Sequence, residues 1–328
     1  MIFLLLLSVI FNIKAFILLV QVPFIQYFVP SGYGCQQKNS LLFTIERNIK
    51  MLISASYWMF EGGLEAKLPV IEAMRQAKKL GFDAIELCIA SQGVLTDKTT
   101  KDECQNIVEQ AKKIGIKIAS VASGESWGKS PTANDPKIRH EIIEFTKKAL
   151  QVTNWLGTDA YLFVPGAVDV FFLPDAEVIH YDVCFERARE AVKQILPTAE
   201  KLGVFLAIEN VWNKFLLSPL EMRDFIDSFK SKNIGSYFDV GNVLLTGYPE
   251  QWIKILGKRI KRVHIKDFKK SFGTAEGFVD LLQGDVNFEN IKKELAAVNY
   301  DGFVTAEMIP FAPGRPEKTA NAMKKIFK

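Results

Sequence analysis

Residues 203–209 read Gly203-Val204-Phe205-Leu206-Ala207-Ile208-Glu209. A glycine closes a helical stretch, a short apolar run follows, and a carboxylate ends it. A short β-rich run leading straight into a polar residue returns three times downstream, in Ser236-Tyr237-Phe238-Asp239, Arg262-Val263-His264 and Phe303-Val304-Thr305-Ala306-Glu307. A charged group at the end of an apolar strand resists burial unless something compensates it. Four such groups at the same end of successive strands can converge on one divalent cation. Three carboxylates and an imidazole form a hard, oxygen-rich set that suits Mn²⁺ first, with Mg²⁺, Co²⁺, Fe²⁺ or Zn²⁺ accommodated.

Working outward, the same alternation fills the chain from Met51 onward. Strands are expected at Leu52–Ser56, Ala84–Cys88, Lys117–Ala122, Ala160–Val164, Val204–Glu209, Ser236–Asp239, Arg262–Ile265 and Phe303–Glu307. Each is short and rich in β-branched, aromatic or aliphatic residues. Amphipathic stretches of helical period lie between them, among them Lys67–Leu80, Lys101–Ile114, Ile143–Leu156 and Ala188–Lys201. Gly81, Gly115, Gly157 and Gly203 punctuate the helix ends, and Ser218-Pro219-Leu220-Glu221 carries a capping box that starts another helix. Eight strand–helix units predict an α/β fold, a single (β/α)₈ barrel over residues 51–328. An open doubly wound sheet is the alternative. It would show a Gly-rich loop after its first strand, where this chain has Tyr57-Trp58-Met59-Phe60.

The chain has 328 residues, 48% hydrophobic and 24% charged, with a formal charge of +4. Lys14, Lys38, Arg47 and Lys50 face only Glu46 in the first fifty residues, leaving 37 basic and 36 acidic residues beyond. A near-neutral body gives no electrostatic reason to bind nucleic acid. Cys35, Cys88, Cys104 and Cys184 make no CxxC pair and match no zinc spacing. Free thiols in a reducing, cytoplasmic compartment are expected. Residues 1–30 are almost wholly apolar and long enough to span a bilayer. Three readings compete: residues 1–50 as an extension upstream of a true start at Met51, residues 1–30 as a membrane anchor, or a cleaved signal. The last lacks a basic lead and a small-residue cleavage site.

Active sites of such barrels gather at the carboxyl ends of the strands. Each of the four groups has a plainer reading alone. Asp239 shapes a turn before Val-Gly-Asn, His264 is a satisfied core histidine, and Glu209 and Glu307 pair with rim lysines. Their recurrence on four consecutive strands favours the metal. His140 and His180 read as non-ligands. Glu86 on the second strand either reaches the pocket or closes a structural hydrogen bond. Trp127, Trp212 and Phe163 line the pocket or pack. Lys266 holds a substrate oxygen or partners Asp267. Residues 165–182, with Phe171, Phe172 and His180, form a long loop that reads equally as part of a lid or as packed surface.

The run YFDVGNVLLTGYPEQWI (residues 237–253), then RVHIKDF (262–268), then GDVNFENIKKELAAVNYDGFVTAEM (284–308) resembles the sugar-phosphate isomerase/epimerase superfamily of xylose-isomerase-like barrels. Its DVGN and HxKD segments are similar to the L-ribulose-5-phosphate 3-epimerase and hexulose-phosphate isomerase-like branch, with ketose 3-epimerases of the D-tagatose type as near relatives. The resemblance runs from about Met51 to the C-terminus. It implies that Glu209, Asp239, His264 and Glu307 bind the metal and that Glu209 and Glu307 also move protons. It implies a small sugar or sugar phosphate as substrate, and a homo-oligomer. Tagatose-type enzymes carry a substrate-binding histidine where this chain has Asn242, and an arginine where it has Lys270. Asn242 and Lys266 fit the phosphate-sugar branch better.

The chemistry expected is removal of a C–H proton beside a ketone by one glutamate and its return to the opposite face by the other. Asn242, Lys266, Trp212 and Glu86 are the candidate substrate contacts. An aldose–ketose isomerase or an inosose-type dehydratase on the same barrel is the alternative. A DNA-repair barrel of the endonuclease IV kind would need several histidines at its site, and this chain has three in total. A non-catalytic sugar-binding relative would not need an intact ligand set.

Overall fold

A computed structural model describes residues 50–328 of the chain. The expectations for residues 1–30 and 1–50, and for Cys35, lie outside the described residues. Eight parallel strands close into a barrel: β1 (Leu52–Ser56), β2 (Ala84–Cys88), β3 (Lys117–Ala122), β4 (Ala160–Phe163), β5 (Phe205–Glu209), β6 (Ile234–Asp239), β7 (Ile260–Ile265) and β10 (Phe303–Ala306). Around the ring, β1 pairs with β2 on one side and β10 on the other, and β10 pairs with β7. The remaining neighbours follow chain order. The expected barrel is therefore the observed one, and every expected strand lies within two residues of its place.

The helices outside the barrel are α1 (Val70–Leu80), α2 (Lys101–Ile114), α3 (Glu125–Gly128), α4 (Pro136–Trp155), α5 (Tyr181–Leu202), α6 (Pro219–Asp227), α7 (Pro249–Leu256), α8 (Phe288–Ala297) and α9 (Arg315–Phe327). Two begin earlier than their apolar periodicity suggests. α4 starts at Asp135-Pro136, where the aspartate caps the Lys137 N–H and proline occupies the first turn. α5 starts at Tyr181. The first turn of α4 is Pro136-Lys137-Ile138-Arg139, whose charged residues a hydrophobic period does not register. Gly203 ends α5 at φ 67°, a left-handed conformation that only glycine adopts without cost, and its N–H closes on Ala199 O. The expected cap at Ser218 is present: its hydroxyl accepts from the Glu221 N–H at 3.1 Å, while Glu221 reaches back to the Leu217 N–H at 2.9 Å.

A short antiparallel ribbon, β8 (Asp267–Phe268) with β9 (Phe278–Val279), follows β7 and was not foreseen. Asp267 anchors it. Its carboxylate accepts from the N–H groups of Phe268 (2.9 Å), Gly284 (2.9 Å) and Val286 (3.2 Å). Among the described residues no helix is long and apolar enough to cross a membrane. Cys88, Cys104 and Cys184 are unpaired and buried.

Candidate metal centre

Registry brings the four groups together. Asp239 lies opposite His264 across β6 and β7, and Thr305 lies opposite His264 across β10, which sets Glu307 just beyond the strand end. Glu209 lies opposite Tyr237 across β5 and β6. The ligand atoms of Glu209, Asp239, His264 and Glu307 all lie within 4.8 Å of one another. His264 and Asp239 are wholly buried, and Glu209 and Glu307 are 6% and 5% exposed.

His264 is the hub. Its Nδ1 is 3.0 Å from Glu209 Oε1 and 3.3 Å from Glu307 Oε2. Its Nε2 is 3.0 Å from Glu86 Oε1. The other Glu86 oxygen accepts from the Tyr237 hydroxyl and from Ser120 Oγ at 3.0 Å. Glu86 is fully buried and does not line the cavity, so its place among the substrate contacts is corrected: its carboxylate is spent on three protein partners. Two register shifts, between Ile85 and Glu86 and between Ser236 and Tyr237, turn these two side chains toward the ring. Bulges beside a site commonly re-aim a side chain in this way.

Lys266 contacts Glu307 Oε2 and lies 3.1 Å from Asp239 Oδ2. It does not partner Asp267, whose oxygens are occupied by backbone N–H groups. Neither Asp239 Oδ2 nor Glu307 Oε2 accepts a well-directed hydrogen bond, although both are buried. Two such oxygens beside an imidazole nitrogen and a third carboxylate are a donor set a divalent cation fits. Asn210, which the sequence reading passed over, clasps β5 to β6. Its Nδ2 donates to Asp239 O at 2.8 Å, and its Oδ1 accepts from the Asp239 N–H at 2.9 Å.

The electrostatics divide the carboxylates. Burial, then the neighbouring Glu307, raises Glu209 to about 7. Burial would raise Glu307 too, but the Lys266 and His264 charges hold it at about 2. Asp239 is raised by burial against the pull of Lys266. His264 is lifted well above its ordinary value: burial opposes the charge, and Glu307 and Glu86 outweigh burial.

The centre opens into a cavity of about 730 Å³. Glu209, Glu307, Lys266, Asn242 and Trp212 line it. Asn242 spends its Nδ2 on Asn210 O (2.9 Å), and its backbone carbonyl accepts from Trp212 Nε1 (2.8 Å). Trp127 also lines the cavity, whereas Phe163 is buried away from it. His140 and His180 are exposed and lie outside the cluster of four ligands.

A sequence profile described as xylose isomerase-like TIM barrel matches residues 74–327. An uncharacterized protein of Methanocaldococcus jannaschii is 21% identical over 241 residues, covering 72% of this chain and 78% of its own length. The L-ribulose-5-phosphate 3-epimerase of Salmonella paratyphi A is 22% identical over 265 residues, covering 76% and 86%. The crystal structure of a D-psicose 3-epimerase in the presence of D-fructose has the same fold, with a TM-score of 0.69, 18% identity, and coverage of 84% of this chain and 98% of that one.

Proposed function

Because the chain belongs to the xylose isomerase-like TIM barrel family, we propose that it is a metal-dependent epimerase that inverts C3 of a ketose or ketose phosphate. Residues 51–328 are the catalytic unit. The observation that carries this reading is the meeting of Glu209 and Glu307, from strands on opposite sides of β6 and β7, at one nitrogen of His264. The named relatives, including the L-ribulose-5-phosphate 3-epimerase, support the reaction class.

Glu209, Asp239, His264 and Glu307 are the ligands, with Mn²⁺ the favoured ion. A divalent ion bound there supplies Lewis-acid polarisation of the ketone. Of Glu209 and Glu307, one takes the C3 proton as a carboxylate and the other returns a proton to the opposite face of C3. In the reverse direction the two exchange tasks, so each turnover removes one proton and returns one. Asp239 and His264 hold position and move no proton. Lys266, Asn242 and Trp212 contact the substrate. The three buried, unpaired cysteines fit a cytoplasmic protein, and the resemblance to ketose epimerases supports a homo-oligomer without a nucleic-acid partner.

The test is a panel of pentuloses and hexuloses, with and without phosphate, assayed in D₂O with Mn²⁺ after EDTA stripping. Deuterium at C3 is the expected NMR signature. Exchange at C1 and C2 instead would make the protein an aldose–ketose isomerase, and an absorbing enone product would make it a dehydratase. Glu209→Gln and Glu307→Gln should each lower kcat by about 10²–10⁴ with the circular dichroism spectrum unchanged. Near-normal turnover by either variant would break the two-base scheme.

A further inference from the structure

The cavity is larger and more aromatic than one ketose needs. About 730 Å³ lies in the upper part of the roughly 300–1,000 Å³ common for small-molecule sites. Glu209, Glu307 and Lys266 line the cavity at the candidate metal centre. Its outer wall is a connected row of rings, with Trp127 against Phe172 (5.1 Å between centroids), Phe172 against Phe171 (5.2 Å), Phe171 against Trp212 (5.8 Å) and Trp212 against Phe278 (5.1 Å). The rings come from α3, from the loop after β4, from the loop after β5 and from β9. Phe171 and Phe172 are 51% and 49% exposed, which is costly for large apolar side chains that meet no ligand. Their loop is tied down: Val168 N–H donates to Asn213 O at 3.0 Å, Ile179 N–H to Val168 O at 2.9 Å, and Asn134 N–H to Glu177 Oε2 at 2.8 Å.

Charge in the wall argues against a phosphate. Among the described residues lining the cavity, the basic ones are Lys266 and Arg315. Lys266 is held between Asp239 and Glu307. Arg315 is 2.9 Å from Asp280 Oδ1 and donates to Pro310 O. Neither is left without a carboxylate. Glu125 adds a further negative charge to the same wall, fixed by the Ser91 N–H (2.8 Å) and hydroxyl (2.9 Å). A phosphate dianion there would meet paired cations, a carboxylate and ring faces. An uncharged pyranose ring has an apolar C–H face that complements those rings.

We propose that the outer chamber is a subsite for the uncharged second sugar ring of a glycosylated keto-sugar, whose ketone end lies at the centre below. This rests on the epimerase reading and selects the substrate class within it. The chamber contributes binding through ring contact, and the far ring takes no part in the proton transfer.

The test separates binding from reaction. Tryptophan fluorescence of the Mn²⁺-loaded protein, reported by Trp127 and Trp212, is titrated with fructose, fructose 6-phosphate and 6-O-glucosyl-fructose. The glucosyl compound is expected to bind at least about tenfold tighter than fructose, which corresponds to one good ring–ring contact, and the phosphate ester no tighter than fructose. Phe171→Ala and Phe172→Ala, at half-exposed positions where the fold tolerates truncation, should each shrink the glucosyl-to-fructose affinity ratio by roughly threefold or more. Tightest binding by the phosphate ester, equal binding of fructose and its glucosyl derivative, or an unchanged ratio in both variants overturns the subsite. C3 deuteration is read on the same compounds. Exchange with the wrong order of affinities removes the subsite and leaves the epimerase reading standing; the right order with no exchange at C3 does the reverse.

Discussion

Replacing Glu86 with glutamine removes one charge and almost nothing else. The carboxylate sits 3.0 Å from His264 Nε2, and its second oxygen meets the Tyr237 hydroxyl and Ser120 Oγ. In Glu86→Gln the amide oxygen still accepts from Nε2, and the new NH₂ can donate to the two hydroxyls, which accept as readily as they donate. Packing and hydrogen bonding therefore survive. What is lost is the negative charge that fixes the ring with Nδ1 toward Glu209 and Glu307 and makes Nδ1 a stronger donor. Outer partners of metal-binding histidines typically contribute about 10–100-fold in affinity, or roughly 1.4–2.7 kcal/mol. A compensation has to be subtracted. Glu86 also favours the protonated ring, whose Nδ1 proton competes with an ion. The neutral variant therefore recovers part of its deficit at low pH, and the full loss shows at the alkaline end of a pH series. Calorimetric titration of Mn²⁺ into the stripped variant reads it directly. An affinity equal to that of the unaltered protein across the series would refute the claim that Glu86 acts through His264 on a bound ion.

Three further outcomes follow from the same geometry. Glu209, raised to about 7 by burial and by Glu307, keeps its proton below that pH and must lose it to bind an ion. Together with protonated His264, this means uptake should release about two protons per ion below pH 7 and about one above it, measured by calorimetry in buffers of different ionisation enthalpy. A release independent of pH would refute the assignment. Mn²⁺ at about a hundredfold over its Kd should stabilise the fold by about 2.7 kcal/mol, roughly 5 °C in Tm for a chain of this size, reversed by EDTA. A Cβ on Gly241 would meet Lys266 Cβ at 2.6 Å and its carbonyl carbon at 3.2 Å. Gly241→Ala should therefore cost about 1–3 kcal/mol in a denaturant melt and weaken ion binding, because the ends of β6 and β7 are pushed apart.

The barrel was legible because a glycine ends the helix before β2, β3, β4 and β5, and because polar residues stand at the carboxyl ends of β5, β6, β7 and β10. Glu209, Asp239, His264 and Glu307 stood out for the same reason, since a polar group at the end of an apolar run is unusual in any single segment and more so when repeated. What the sequence hid was relational. Whether Glu86 faces a substrate or the histidine depends on a one-residue slip in pairing between β2 and β3, and no local pattern announces that slip. Tyr237 lies two residues before Asp239 and so shares its face of the strand, a signal that was present but indistinguishable from ordinary core packing. Asn210 reads as a polar residue after a strand, and only the placement of β6 shows it clasping the Asp239 backbone. The β8–β9 ribbon has two-residue strands, too short for an alternation to register.

Lys266 has a consequence for how the protein is loaded. Its ammonium touches the carboxylates of Asp239 and Glu307, so the chain brings a tethered counter-ion of its own to the place of greatest negative charge. Such a barrel can finish folding before any metal reaches it. On the proposed metal-dependent reading, loading is an exchange at a completed site, in which the ion displaces the Lys266 ammonium from Asp239 and Glu307.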